Sequence, residues 1–394
     1  EKWQENLKAI DELGGPKHFN HFPSSWAHAM NTPFQWTKQV ASHFGGTRNP
    51  MIISWPSQIT DKGGLRSQFL HVIDIVPTIY EVCGITAPRE LNGIPQKEIE
   101  GKSFAFTFDD ADAASKRRTQ YFELVCNRGL YHDGWMASAP GFAPWIPTRP
   151  EDWSPDSQVW ELYKLDRDFS QAHDLAAEHP DKLRELQDLW WAEAAKYSVL
   201  PLDWRGTIRM NAEAMGRPNL VGKRTRATYY EGMLALPDAA CLPMLNKSWT
   251  ITADIEVPDD KAEGMIITHG GAEGGYGLYL REGKPVFVYN FLGMARPTFT
   301  SEVAVAKGRS TVSVKFDYDG GGMGKGGKVT LAIDGKEVAN GRLEHTVPIQ
   351  FSITEGLDIG MDNGSAVDWT YQLPFRFSGK IHEVTVEIFP ESKG

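Results

Sequence analysis

The 394-residue sequence holds only three cysteines, Cys83, Cys126 and Cys241, far apart and odd in number. They build no disulfide framework and match no zinc-ligand spacing. No apolar run approaches the ~18 residues of a membrane-spanning helix. No run of Lys and Arg is long enough to follow a phosphate backbone, and the formal net charge is -10. That balance argues against nucleic acid as a partner. With 41% hydrophobic and 23% charged residues, the composition is that of an ordinary folded chain, which excludes extensive disorder.

What is present divides the chain. At this length one hydrophobic core rarely serves, so two domains are expected. The opening EKWQENLKAIDELGGPK, which has no Met, places Trp3, Leu7, Ile10 and Leu13 at helical spacing before Gly14-Gly15-Pro16. A run that starts inside a helix, without lead-in, reads as the continuation of something longer. Residues 17–36 are an aromatic-rich loop broken by Pro23 and Pro33. MIISW (Met51–Trp55), closed by Pro56, predicts a buried strand. HVIDIVPTIYEVCG predicts a helix with Asp74 as N-cap, Pro77 in the first turn and Gly84 as the stop. Its spacing puts Val72, Ile75, Val76, Ile79 and Val82 on one face. TQYFELV (Thr119–Val125) and YHDGWMAS (Tyr131–Ser138) predict one strand each. HPDKLRELQDLWWAEAAKY predicts an amphipathic helix with Leu183, Leu186, Trp190, Ala194 and Tyr197 inward.

Residues 206–231 are basic, polar and weakly periodic, which suits a linker. From residue 232 to 394 the period becomes two. WTITADIEV puts Trp249, Ile251, Ala253, Ile255 and Val257 on one face. Glu282-Gly283 and Asp334-Gly335 read as hairpin turns, and HEVTVEIF continues the rhythm. An antiparallel all-β sandwich is expected. DGGGMGKGGK (Asp319–Lys328) lacks the ending of a phosphate loop and sits between strands, so a hairpin loop is expected.

Three blocks, in order, resemble one family. KQVASHFGGTRNPMIISWP resembles the sulfatase segment in which a lysine precedes an aromatic-Gly-Gly-x-Arg turn and an apolar strand. HVIDIVPTIYEVCGI resembles the following sulfatase helix with its Asp-x-x-Pro-Thr core, and WELYKLDRDFSQAHDLAAEHPDKLREL resembles the family's late stretch. TPFQWTKQVASHFGGTRN together with the all-β tail is similar to the large bacterial arylsulfatases. The resemblance implies an α/β fold for residues 1–205, the C-terminal portion of an alkaline phosphatase-like sulfatase catalytic domain. For residues 232–394 it implies a concanavalin-like, lectin-like sandwich.

Taken alone, Lys38 reads as a solvated loop charge. The resemblance makes it the lysine that contacts the sulfate. Cleaving the S–O bond loads charge onto the leaving oxygen, and a fixed ammonium stabilises that charge more in the transition state than before it. Such a role places the amine in an oxyanion-sized recess floored by Gly45-Gly46, glycines expected to allow a backbone conformation closed to other residues. Arg48 reads either as a pin held by a buried carboxylate or as a substrate contact. Trp36 and His43 join it as candidate substrate-binding residues, His43 equally as a packed, hydrogen-bonded side chain. His18, His21, Trp26, His28, Phe34 and Trp36 form a candidate pocket wall, or anchor the loop; the three histidines have no convincing fourth zinc ligand.

The family depends on Cys-x-Pro-x-Arg or Ser-x-Pro-x-Arg, whose first residue becomes formylglycine, and on calcium held by an early Asp-Asp pair and a later Asp-Asn. Cys83, Cys126 and Cys241 begin CGITAPR, CNRGL and CLPML, and none fits. Asp109-Asp110 follows the lysine block, the wrong order, and Asp362-Asn363 reads as an ordinary Asx turn. Formylglycine and calcium are therefore expected from a missing N-terminal half, and no turnover from this chain alone. The expected substrate is a sulfate ester, a small molecule or a sulfated glycan. Two alternatives stand beside this. One is a carbohydrate-binding or structural module using Tyr276, Tyr289, Phe291 or Trp369. The other is a different member of the alkaline phosphatase superfamily, a phosphodiesterase or phosphatase.

Overall fold

The computed structural model describes residues 4, 7–15, 22–142, 153–217 and 219–389. Trp3, His18 and His21 lie outside these residues. Two compact units are formed, one of residues 22–206 and one of residues 207–394 with 1–21. No helix of the described residues is long and apolar enough to cross a membrane. Antiparallel sheets dominate both units.

In the first unit the organising element is a four-stranded antiparallel meander: β1 (Thr119–Leu124), β2 (Asn127–His132), β3 (Trp135–Ala139) and β4 (Glu161–Lys164). The expected single strand over Tyr131–Ser138 is a hairpin instead. Asp133 and Gly134 both take positive φ, 45° and 81°, the geometry of a tight two-residue turn that Asp-Gly favours. The 17-residue helix over Pro180–Lys196 lies on one face and buries Leu186, Trp190 and Ala194 against Leu130, Ala137 and Leu162. Tyr197 stacks on Tyr121 with ring centres 5.4 Å apart. On the other face Phe44, Tyr131, Met136 and Tyr163 form a second cluster, with Phe69 stacked 3.6 Å from Tyr131. Among the described residues the unit is an antiparallel sheet with this helix on one face, accompanied by shorter helices at Ser24–Met30, Phe44–Thr47 and Ile75–Val82.

One further expectation is corrected. Met51–Trp55 pairs with no strand of the described residues, and Ile52 is 94% exposed. The segment is extended but has no ladder partner, and a strand exists only through its neighbours. The predicted helix is present at Ile75–Val82, preceded by a 3₁₀ turn at Val72–Asp74 and ended at Gly84, where φ is 64°. Its apolar face is largely solvent-exposed. Val72, Val76 and Ile79 are exposed, while Asp74 and Thr78 are buried. Polar groups win the inner face because they satisfy backbone. The Asp74 carboxylate accepts from the N–H groups of His71 at 2.9 Å and Lys102 at 2.7 Å, and from Arg117 Nε at 2.8 Å. The Thr78 hydroxyl donates to Asp74 O at 2.7 Å and accepts from Phe104 N at 3.0 Å.

The second unit is a sandwich of two sheets on one core. Its strands are β5 (Arg226–Tyr229), β6 (Ser248–Val257), β7 (Gly264–Gly271), β8 (Gly274–Arg281), β9 (Lys284–Asn290), β10 (Thr298–Thr300), β11 (Gly308–Tyr318), β12 (Lys325–Ile333), β13 (Lys336–His345), β14 (Leu357–Ile359), β15 (Met361–Asp362), β16 (Phe375–Arg376) and β17 (Lys380–Phe389). One sheet runs β13-β12-β11-β6-β17-β5; the other runs β10-β9-β8-β7-β16-β15, with β14 also on β7. Trp249, Ile251, Ala253, Ile255 and Val257 are all buried, as the alternation along β6 requires. The hairpin turns at Glu282-Gly283 and Asp334-Gly335 both have positive φ at both residues. The stretch 206–231 is not all linker, since Arg226–Tyr229 is an edge strand paired with β17.

Candidate functional site

The loop that carries Lys38 is assembled by hydrogen bonds to residues far away in sequence. Asn31 Nδ2 donates to Trp36 O at 3.2 Å and Gly45 O at 2.9 Å. Phe44 N donates to Gln171 Oε1 at 2.8 Å, and Gln35 Nε2 donates to Gln171 O. Gln171 Nε2 donates in turn to Ser138 Oγ at 3.0 Å, and that hydroxyl to Ser42 O at 2.7 Å. Asn127 Nδ2 reaches Gln39 O at 3.4 Å. The loop is thus stapled to β2 and β3.

Within it the backbone is unusual. Trp36 and Gln39, neither a glycine, have φ of 66° and 79°. Such positions cost of order 1–3 kcal/mol and persist only where surroundings over-determine them. Lys38 sits between the two, exposed, with no hydrogen bond or ion pair to any described residue.

The Gly-Gly bend has a different purpose from the one expected. Neither Gly45 nor Gly46 has positive φ; both lie in the short helix Phe44–Thr47. A Cβ on Gly45 would stand 2.0 Å from Trp36 O, and one on Gly46 2.2 Å from Val40 O. The glycines are needed for close approach of backbone, and they floor the turn itself. They do not floor a recess, and the described residues leave the Lys38 ammonium in solvent. Gly46→Ala is accordingly expected to destabilise the chain by about 1–3 kcal/mol, as overpacking does, read as a lowered midpoint in thermal unfolding. An unchanged midpoint would show the turn to be slack.

His43 is buried, with both ring nitrogens engaged: Nδ1 with Ser42 Oγ at 2.9 Å and Nε2 with Glu161 Oε2 at 3.0 Å. Tyr163 donates its hydroxyl to the same Glu161 oxygen at 2.8 Å. Burial alone would raise the Glu161 carboxyl, but its bonds from His43 and Tyr163 hold it below the usual range. The Tyr163 hydroxyl is pushed upward, first by burial and then by the Glu161 charge. His43 therefore holds the loop and has no ring nitrogen left for substrate.

Arg48 is pinned by aromatics, not by the carboxylate expected. Its guanidinium lies 3.9 Å from the Phe169 ring centre and 5.3 Å from those of Phe34 and Phe44. Partial burial lowers its pKa. Phe34 packs on Phe44 and Phe169 at 6.0 and 5.1 Å and so anchors the loop. Trp26 and His28 are exposed, and Trp36 is half-buried.

The structure thus brings Trp36, Lys38, His43 and Arg48 onto one turn, where the exposed Lys38 and Arg48 carry cationic heads with no hydrogen bond or ion pair to a described residue, Arg48 lying against aromatic rings. Sequence reading missed Asn31, Ser138, Glu161 and Gln171, which build that turn. Glu161 and Gln171 fall inside the late sulfatase-like block, which was the available signal.

Among the described residues no three His, Cys, Asp or Glu side chains are grouped to hold a metal ion. Asp362 is buried, accepts from Tyr371 Oη and from Val367 N at 3.3 Å, and is pushed up to about 6, chiefly by burial. Cys241 is buried and pushed up to about 12, first by burial and then by the Asp238 charge, so it is a thiol at neutral pH. Among the described residues, neither Asp362 nor Cys241 fits a calcium ligand set or a formylglycine precursor. Tyr276 and Tyr289 are buried in the sandwich core, and Phe291 packs against it, which removes the two tyrosines as sugar platforms; Trp369 remains, 38% exposed.

No family model matches the chain. An uncharacterized sulfatase of Schizosaccharomyces pombe is 28% identical over 195 residues, covering 49% of this chain and 33% of that protein. An arylsulfatase of Klebsiella aerogenes is 28% identical over 124 residues, covering 32% and 25%. The chain thus spans a third or less of the length of these two proteins. A solved carbohydrate-binding module of a Ruminococcus gnavus sialidase, bound to α2,3-sialyllactose, aligns at TM-score 0.30 and 16% identity over 43% of this chain and 92% of that one, too weak a likeness to bear on fold or ligand. The chain is thus a relative of the sulfatases, with a sulfatase family supported over about half of its length.

Proposed function

We propose that this chain is the C-terminal portion of an arylsulfatase that hydrolyses sulfate esters, and that Lys38 contacts the sulfate. Its support is the similarity to sulfatases over about half of the chain, together with a strained turn, held by Asn31 and Gln171, that presents Lys38. The ammonium is solvent-exposed in this chain, so the recess the role requires would be completed by the rest of the full-length protein. The ammonium would face the leaving oxygen, where charge collects as the S–O bond breaks. Trp36 stands two residues away, and the buried His43 holds the turn through Glu161 and Ser42.

Nothing in this chain supplies the nucleophile. On this reading formylglycine and calcium would be supplied by the remainder of the full-length protein. Support for a missing packing partner comes from apolar surface. Val72 is 70% exposed and Ile52 94%, and Val76 and Ile79 add to the same character. Burying such side chains stabilises by about 1.5–3 kcal/mol each, so an N-terminal half of the same catalytic domain is the partner proposed.

The test compares hydrolysis of 4-nitrocatechol sulfate by the full-length protein and by this 394-residue chain. Turnover by the former and none by the latter is expected. Equal turnover by this chain alone would overturn the division of labour.

A further inference from the structure

The first unit holds a cleft of about 400 Å³ that the sulfate reading does not use, lined by Pro155, Asp156, Trp191, Leu200, Leu202 and Trp204. Trp191 is 40% exposed and Trp204 37%. Both rings are braced. Trp190 stands edge-on to Trp191 at 5.0 Å, and Trp153 edge-on to Trp204 at 6.2 Å. The buried Arg128 guanidinium lies 5.5 Å from the Trp191 ring centre; its Nε donates to Gln158 Oε1 at 3.0 Å and its Nη2 to Pro155 O at 2.8 Å. The last bond fixes the residue beside Asp156, whose carboxylate hydrogen-bonds to no described residue but lies within electrostatic reach of Arg128.

We propose that this cleft binds a neutral pyranose unit of a glycan. The size lies within the ~300–1,000 Å³ range of small-molecule sites. Rigid indole faces suit the apolar C–H face of a sugar ring, at little entropic cost because the rings are already held. An ionised carboxylate accepts hydrogen bonds from adjacent hydroxyls, and such charge-assisted bonds are the strong ones. The same carboxylate repels a sulfate or carboxylate on the ligand. A quaternary ammonium ion, the other guest of aromatic walls, is disfavoured by the Arg128 cation already stacked on Trp191. The proposal does not rest on sulfate chemistry, and its test involves no turnover.

The test follows tryptophan fluorescence of this chain, titrated with neutral hexasaccharides of β-1,4-linked glucose, mannose, galactose and xylose, and with choline as the cationic control. At least one hexasaccharide is expected to saturate the signal with Kd of roughly 0.1–1 mM. Asp156→Asn and Trp204→Ala are each expected to weaken that binding by about tenfold or more, while thermal unfolding shows both variants folded. Calorimetric titration of both variants gives a readout independent of the removed indole. No saturation by any of the four sugars, saturation that both variants leave unchanged, or saturation by choline alone would overturn the assignment.

Discussion

In the full-length protein, Lys38→Ala is expected to lower kcat on an aryl sulfate by roughly two to four orders of magnitude. The size follows from what the ammonium is asked to do. Removing one fixed donor aimed at developing charge typically costs about 10²–10³ in rate, and losing a full positive charge, once the remainder of the full-length protein covers it, would cost more. The effect should fall on kcat more than on KM, because charge on the leaving oxygen exists mainly in the transition state. Stability should hardly move, since Lys38 is exposed and touches no described partner; changes at such sites stay within about ±0.5 kcal/mol. Lys38→Arg keeps the charge but not the compact geometry, so partial activity is expected. A near-normal kcat in Lys38→Ala would exclude this residue from the reacting centre.

The largest stability effect is expected at Asp74. Its carboxylate is buried and meets Arg117 through both oxygens, with two backbone N–H donors besides. Asp74→Asn keeps the shape but leaves the Arg117 cation buried and unneutralised. Breaking one side of such a pair costs about 3–5 kcal/mol, a large part of a domain's total stability. The pH dependence follows. Burial alone would raise the Asp74 carboxyl, but the bonds from Arg117, Lys102 and His71 hold it below its ordinary value. A depressed carboxyl contributes stability that is complete above the unfolded-state value, near ~4, and lost as pH falls through the folded-state value. Unfolding free energy of the wild-type chain should therefore decline as acid is added below pH ~4, and Asp74→Asn should flatten that decline. Glu161 is depressed in the same direction, so some slope should persist in the variant. Chemical denaturation as a function of pH reads both quantities. Equal stability of wild type and variant at neutral pH would contradict the account of this ion pair.

Where the sequence was legible, one rule governed a whole element. Alternation along β6 placed five side chains in the sandwich core because a strand has only two faces. The helix over Pro180–Lys196 showed its stripe for the same kind of reason, with Leu186, Trp190 and Ala194 turned onto the sheet. Legibility failed where partners decide. Met51–Trp55 has the composition of a buried strand but no neighbour among the described residues. The helix Ile75–Val82 has an apolar face that local periodicity picks out, yet Asp74 and Thr78 face inward to satisfy the backbone of residues 102 and 104. At the candidate site the turn residues could be singled out through family resemblance. The reason for Gly45-Gly46 could not, because carbonyl close approach is invisible in one dimension. Gln171 lies more than a hundred residues from Phe44, which it bonds, and no local spacing connects them.

Leaving-group dependence in the full-length protein tests the placement of Lys38 most directly. For a series of aryl sulfates whose phenols span a wide range of acidity, log(kcat/KM) is plotted against phenol pKa for wild type and Lys38→Ala. An ammonium beside the departing oxygen shields the enzyme from poor leaving groups, so the variant's line should fall more steeply and its deficit should widen toward the less acidic phenols. Coincident lines would place the amine away from the breaking bond, and with it this chain's share in the chemistry.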